Sequence, residues 1–257
     1  MNWSRLLSTL AALALPLGAL SACAPKGPED SVVKECVLPA DQTDTLAGKW
    51  TAVPVPISFH GGDFSAAEIG QMVAAADTWN SFYATSLNLS TIDYGNPVRV
   101  TASTYQRPPF GCGQSILNTA RDKFTGSVVI YKVTSAWPGA YGSKAIAVTT
   151  RCPATSKRPS TFNFSYMEIN FQNFFSAGKQ LPDLQSILLH EFGHLMGLDH
   201  SCESTKKAGV PYCSDPAIDG AYYDAVMYPV FSFASGYGEV KRTLMANDQG
   251  RANCLYK

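Results

Sequence analysis

The sequence has no surplus charge of either sign: 20 Lys+Arg face 20 Asp+Glu across 257 residues. A nucleic-acid binder shows a basic surplus or a basic stripe, so no nucleic-acid partner is expected. The apolar fraction, 46%, is too high for a disordered chain and suits one sizeable core or two small ones. Internal repeats and long low-complexity linkers are absent, so residues beyond the first few dozen read as one domain. No C-x-x-C pair exists, which leaves a cysteine metal site without a framework. Histidine is scarce, with 4 in all, yet three of them fall between His190 and His200.

The one long uncharged run, Leu6–Ala22, is broken by Pro16 and Gly18 and follows a single positive charge at Arg5. It is too short and too interrupted for a good membrane span and reads as a secretory signal over residues 1–22. Its end, Leu20-Ser21-Ala22-Cys23, resembles the lipobox of bacterial lipoproteins, which implies lipidation of Cys23 and a membrane anchor. In that resemblance Ala24, being other than Asp, directs the protein to the outer membrane. Ordinary cleavage at the Ala22/Ala24 pair and a retained anchor helix remain as alternatives. Residues 23–43, opening with a Pro/Gly/charge-rich stretch, are expected to form the tether.

Setting Cys23 aside leaves six of the 7 Cys, an even number that favours disulfides in an exported domain. Cys202–Cys213 closes a short polar loop and is the cheapest pair. Cys112–Cys152 and Cys36–Cys254 follow by elimination.

Along residues 44–257, Ala52–His60 alternates and suits a first strand, whose two Pro imply an edge or an irregular start. Ser65–Thr85 carries Ile69, Met72, Val73, Ala76, Trp79, Phe82 and Tyr83 at helical spacing. Pro97–Thr104, Gly126–Thr134, Ala145–Thr150 and Phe164–Gln172 read as strands, with Cys152 in a polar loop between the last two. A second helix opens at Pro182-Asp183 and ends at Gly197. A loop-rich stretch to about Tyr237 and a C-terminal helix around Leu244–Leu255 follow. This order indicates an α+β domain.

The second helix carries the chemistry. It reads His190-Glu191-Phe192-Gly193-His194-Leu195-Met196-Gly197-Leu198-Asp199-His200. Histidines four apart project from one helix face, so His190 and His194 can reach one ion, with Glu191 beside it. Gly197 lets the chain leave through a left-handed turn, and His200 can then return as a third ligand. Three imidazoles leave a fourth zinc position open, as a catalytic site requires. Given H-E-x-x-H, chance supplies the further Gly and His at their offsets about once in 800.

This motif resembles that of the metzincin zinc endopeptidases, defined by H-E-x-x-H-x-x-G-x-x-H and a later Met-turn. Ala225-Val226-Met227-Tyr228-Pro229 resembles that turn, which places Met227 beneath the histidines. His200-Ser201, the Met227-Tyr228-Pro229 form of the turn and the Leu244–Tyr256 ending are similar to the matrixin branch. The resemblance implies a mixed twisted sheet, a long backing helix, an upper subdomain over 44–197 and a lower one over 198–257. It implies one catalytic Zn2+ on His190, His194 and His200, with Glu191 as general base. It implies protein or peptide substrates laid along the strand before the active-site helix, here Tyr166, Met167, Glu168, Ile169 and Asn170. Val230 and Phe231, after the Met-turn, would wall an apolar pocket. Tyr228 directly follows Met227, so no Tyr ligand is inferred. The structural zinc site of matrixins is absent, because the remaining histidine is His60 alone. Cys36 only faintly resembles the zinc-blocking Cys of a matrixin pro-segment. Asp215, Asp219 and Asp224 leave Ca2+ open, but a solvated acidic loop is the better reading, because no spaced loop motif is present. Two other functions stay open: hydrolysis of cell-wall peptides, and a non-catalytic binding role on the same scaffold.

Overall fold

Helix α1 (Ala66–Leu87) forms where the apolar spacing predicts it, and its ends are set locally. Ser65 and Glu68 make a reciprocal capping box, and Asn88 closes the helix in the left-handed region at φ 54°. The computed structural model describes residues 32–60, 63–95, 99–101, 112 and 128–257. The signal, Cys23 and the tether up to residue 31 lie outside the described residues.

Seven strands build one sheet: β1 (Gly48–Trp50), β2 (Val55–His60), β3 (Ile92–Asp93), β4 (Val100–Thr101), β5 (Val128–Val133), β6 (Ala147–Pro153) and β7 (Ser160–Asn170). Every pairing is parallel except β6 with β7. With helices packed on this mixed sheet, the fold is α+β, as expected. Side-chain alternation splits the apolar residues between two layers. Val128, Ile130, Met167 and Ile169 face the main core with Trp79, Phe82 and Tyr83 of α1. Val129, Tyr131, Val133, Phe164 and Tyr166 face a second cluster with Trp137 and Cys152.

Several expectations need correction. β2 pairs with β3, β4 and β5 and is interior, so its prolines mark an irregular start, not an edge. Cys152 lies within β6 and is buried, not in a loop. The expected substrate strand, Tyr166–Asn170, is flanked by β5 on one side and by β6 and Ile146 on the other. All five of its residues, Tyr166, Met167, Glu168, Ile169 and Asn170, are buried, so no edge is left to receive a peptide. Strand β6 pairs with β7 alone among the described residues and holds the open edge instead.

Residues 32–43, expected in the tether, pack on the domain instead. Val32–Lys257 forms one compact unit. Val33 N–H donates to Gln249, Asn253 donates to the Val33 carbonyl, and buried Gln42 donates to the Ser201 carbonyl. No helix of the described residues is long and apolar enough to cross a membrane.

Helix α2 (Leu184–Leu195) is capped by Asp183, whose carboxylate accepts from Ser186 N–H at 2.9 Å. Trp79 of α1 donates to the Leu189 carbonyl at 2.9 Å, which anchors α2 over the core. At its end Gly197 N–H bonds to the His194 carbonyl and Leu198 N–H to the Gly193 carbonyl, a double closure that needs a left-handed residue. Gly197 has φ +106°, and an added Cβ would lie 1.8 Å from the Gly48 carbonyl oxygen of β1. Gly197→Ala is therefore expected to destabilise the fold by about 3 kcal/mol, combining strain and overpacking. Urea unfolding checks this; an unshifted midpoint contradicts the tight turn.

Short helices α3 (Gly220–Asp224) and α4 (Ala246–Tyr256) and the hairpin β8–β9 (Phe233–Ala234, Tyr237–Gly238) complete the chain. The three disulfides are Cys36–Cys254, Cys112–Cys152 and Cys202–Cys213, the pairs named from the sequence. With Cys36 bonded to α4, it has no free thiol to offer a metal.

Candidate metal centre and cleft

His190 and His194 project from one face of α2, and the turn at Gly197 brings His200 to them. One nitrogen from each lies within 4.8 Å of the others. Their other nitrogens define the tautomers. His190 Nδ1 lies 2.7 Å from the Val226 carbonyl, His194 Nδ1 2.8 Å from the Leu198 carbonyl, and His200 Nδ1 3.3 Å from a Glu203 carboxylate oxygen. The Val226 and Leu198 carbonyls only accept, so the Nδ1 atoms of His190 and His194 carry a ring proton. His190 and His194 Nε2 are 3.1 Å apart, and His194 and His200 Nε2 3.3 Å apart. Three imidazole nitrogens turned to one point at that spacing form a donor set for a cation. Zinc bonds of about 2.0–2.1 Å in tetrahedral geometry separate two nitrogens by about 3.3 Å, so the donor set fits zinc.

Burial, with His200 beside it, pushes the His190 imidazole down to about 3. Burial, then His190 and His200, hold His194 well below its ordinary value. Both rings are therefore neutral at pH 7, the form that binds a metal. Glu191 is buried, and this pushes its carboxyl up to about 7, against the pull of the Thr149 hydroxyl. That hydroxyl donates to Glu191 Oε2 at 2.6 Å.

The turn after α3 supports the cluster from below. Met227 is fully buried, and its Sδ occupies the place a Cβ at Gly193 would need, 2.2 Å away. Asp248 of α4 accepts from Val226 N–H at 2.8 Å and Met227 N–H at 3.1 Å, which fixes the carbonyl that orients His190. One helical turn on, fully buried Arg251 donates to the Asp199 carbonyl at 3.0 Å and the His200 carbonyl at 3.4 Å. Tyr228 packs on Tyr223 and under Lys241 and does not line the cleft.

The histidines open into a cleft of about 1090 Å³. Its lining includes Ala147, Val148, Thr149 and Arg151 of β6, then Ile187, and Pro229, Val230, Phe231 and Phe233 after Met227. Tyr166–Asn170 do not line it. Sequence reasoning expected a strand at Ala145–Thr150 but assigned the cleft edge to β7 instead of β6. The available signal was the two-sided apolar pattern of β7, which marks a strand buried on both faces. It also missed Arg151, which donates to the His194 and Leu198 carbonyls at 3.3 and 3.1 Å and pairs with Asp199. Burial raises the Asp199 carboxyl, but Arg151 and Arg158 outweigh it and hold the group below the usual range. Asp215, Asp219 and Asp224 are exposed, and the first two cap local turns. Among the described residues, no acidic cluster is placed to hold a metal.

No family model and no curated protein matches the chain. Among solved structures it is similar to high choriolytic enzyme 1, a hatching enzyme zinc-protease from the medaka fish Oryzias latipes, at 13% identity and a TM-score of 0.34, over 83% of this chain and 94% of that one.

Proposed function

We propose that the chain is a zinc-dependent endopeptidase of the metzincin kind, closest in motif to the matrixins. In this reading it acts on extracytoplasmic proteins from a lipid anchor on Cys23 in a bacterial outer membrane. The observation that carries the catalytic part is the convergence of three imidazole nitrogens beside a buried carboxylate, in a cleft bordered by a strand edge that is unpaired among the described residues. The anchor rests on the Leu20–Cys23 pattern alone.

His190, His194 and His200 hold the metal in this reading. Zinc bound there supplies Lewis acidity, lowering the pKa of water from ~15.7 towards ~7 and polarising a carbonyl. Glu191 takes a proton from the attacking water and returns it to the leaving amine. Strand β6, not β7, offers its free N–H and C=O groups to an extended peptide, which holds the scissile bond over Glu191. Ile187 and Phe231 beside His190, with Phe174 and Phe233 stacked further in, form an apolar pocket. That pocket suits a hydrophobic side chain following the scissile bond.

Incubation with casein and, in parallel, with purified peptidoglycan tests the reading. The expected result is casein cleavage that stops with a zinc chelator and returns with added zinc. Cleavage of peptidoglycan alone favours the cell-wall reading. Cleavage of neither by the zinc-loaded protein favours a binding role.

A further inference from the structure

We propose that Thr149 is a positioning residue for Glu191: its hydroxyl holds one carboxylate oxygen and so sets how the carboxylate faces the cleft. The inference deepens the peptidase reading and rests on it. A threonine hydroxyl has one proton, and a carboxylate can only accept it, so the 2.6 Å contact to Glu191 Oε2 has a fixed direction. The same hydroxyl lies 3.4 Å from the Glu191 carbonyl, which places it over the base of that side chain. The Thr149 backbone N–H is a second donor to the same carboxylate.

The strand holds the hydroxyl in place. Thr149 is paired with Met167 of β7, and its β-branched side chain has little rotamer freedom. Two residues on, Arg151 points to the same face and donates to the His194 and Leu198 carbonyls. Successive inward side chains of β6 therefore grip α2 at Glu191 and again one turn later. Among the described residues the outer edge of this same strand is unpaired, so a peptide docked there is registered to the strand that aims Glu191. Loss of the hydroxyl removes the side-chain donor from a buried carboxylate and leaves it freer to turn. A lost hydrogen bond to a charged group corresponds to about a 10- to 100-fold change.

The experiment compares wild type with Thr149→Val, Thr149→Ala and Thr149→Ser, all zinc-loaded, on one peptide that the wild type cleaves. Val keeps the shape, Ala serves should Val not fold, and Ser returns the hydroxyl. The expected result is a kcat lower by about 10- to 100-fold in the Val or Ala variant, with KM within about twofold and zinc content unchanged. Ser is expected to restore kcat to within about threefold of wild type. Infrared bands of the Glu191 carboxylate, identified by their absence in Glu191→Gln, should shift in the Val or Ala variant and not in Ser. Unchanged kcat in the Val or Ala variant of an active wild type overturns this inference and leaves the peptidase reading standing. A raised KM at unchanged kcat, or equal losses in Ser and Val, overturns it too. A zinc-loaded wild type that cleaves no peptide overturns both.

Discussion

Glu191→Gln is expected to lower turnover by about 10²- to 10⁴-fold while the protein keeps its fold and its zinc. Gln has the shape of Glu and can still meet the Thr149 hydroxyl, so the packing at the base of the cleft is kept. It cannot take a proton from water. Stability should rise slightly. Burial pushes the Glu191 carboxyl up to about 7, so at pH 8 the folded protein holds a charge that the unfolded chain hydrates better. The neutral amide removes that cost at pH 8. Below the unfolded-state value the carboxyl is protonated in both states, and the stability gain disappears. Single-turnover kinetics, metal analysis and thermal unfolding of the chelated protein at pH 8 check the three parts. Turnover equal to wild type would remove Glu191 from the chemistry.

What could be read from the sequence follows how locally each feature is determined. Helix α2 and its end depend on residues within one turn of each other: Asp183 with Ser186, and Gly197 with Gly193 and His194. Apolar spacing and punctuation carry that information, so the histidine cluster was readable. Met227 was readable through its motif, though its physical reason, the space left by Gly193, needed the fold. The edge strand was not readable in the same way. Whether β6 or β7 is the edge depends on β5, which lies some 30 residues away along the chain and closes the far side of β7. Periodicity within Tyr166–Asn170 reports burial, not which neighbours supply it. Thr149 and Arg151 were missed for the same reason, since a lone Thr and Arg on a strand carry no motif. Residues 32–43 looked like a tether because their contacts are with α4 and the chain after His200, more than 150 positions away. The Cys36–Cys254 bridge carries the same long-range information in covalent form.

His200→Ala separates the metal from the fold. The backbone of His200 is held by groups the substitution leaves alone: Arg251 on the Asp199 and His200 carbonyls, and Ser201 N–H on the Met227 carbonyl at 2.8 Å. The imidazole itself is partly exposed, and its ring proton meets only Glu203 at 3.3 Å. Its loss should therefore cost under about 1 kcal/mol in the chelated protein, as for a partly exposed side chain with one weak contact. Zinc, in contrast, loses one of three protein ligands. If a ligand carries about a quarter of the 10–16 kcal/mol typical of a four-ligand zinc site, affinity should fall by about 10²- to 10³-fold. Titration against a competing chelator measures the affinity, and urea unfolding without metal measures the fold. The contrast with Gly197→Ala gives the pair its force, because that substitution should lose stability even without metal. Should the His200 variant bind zinc as tightly as wild type, the third ligand is not His200, and the turn at Gly197 has lost its functional reason.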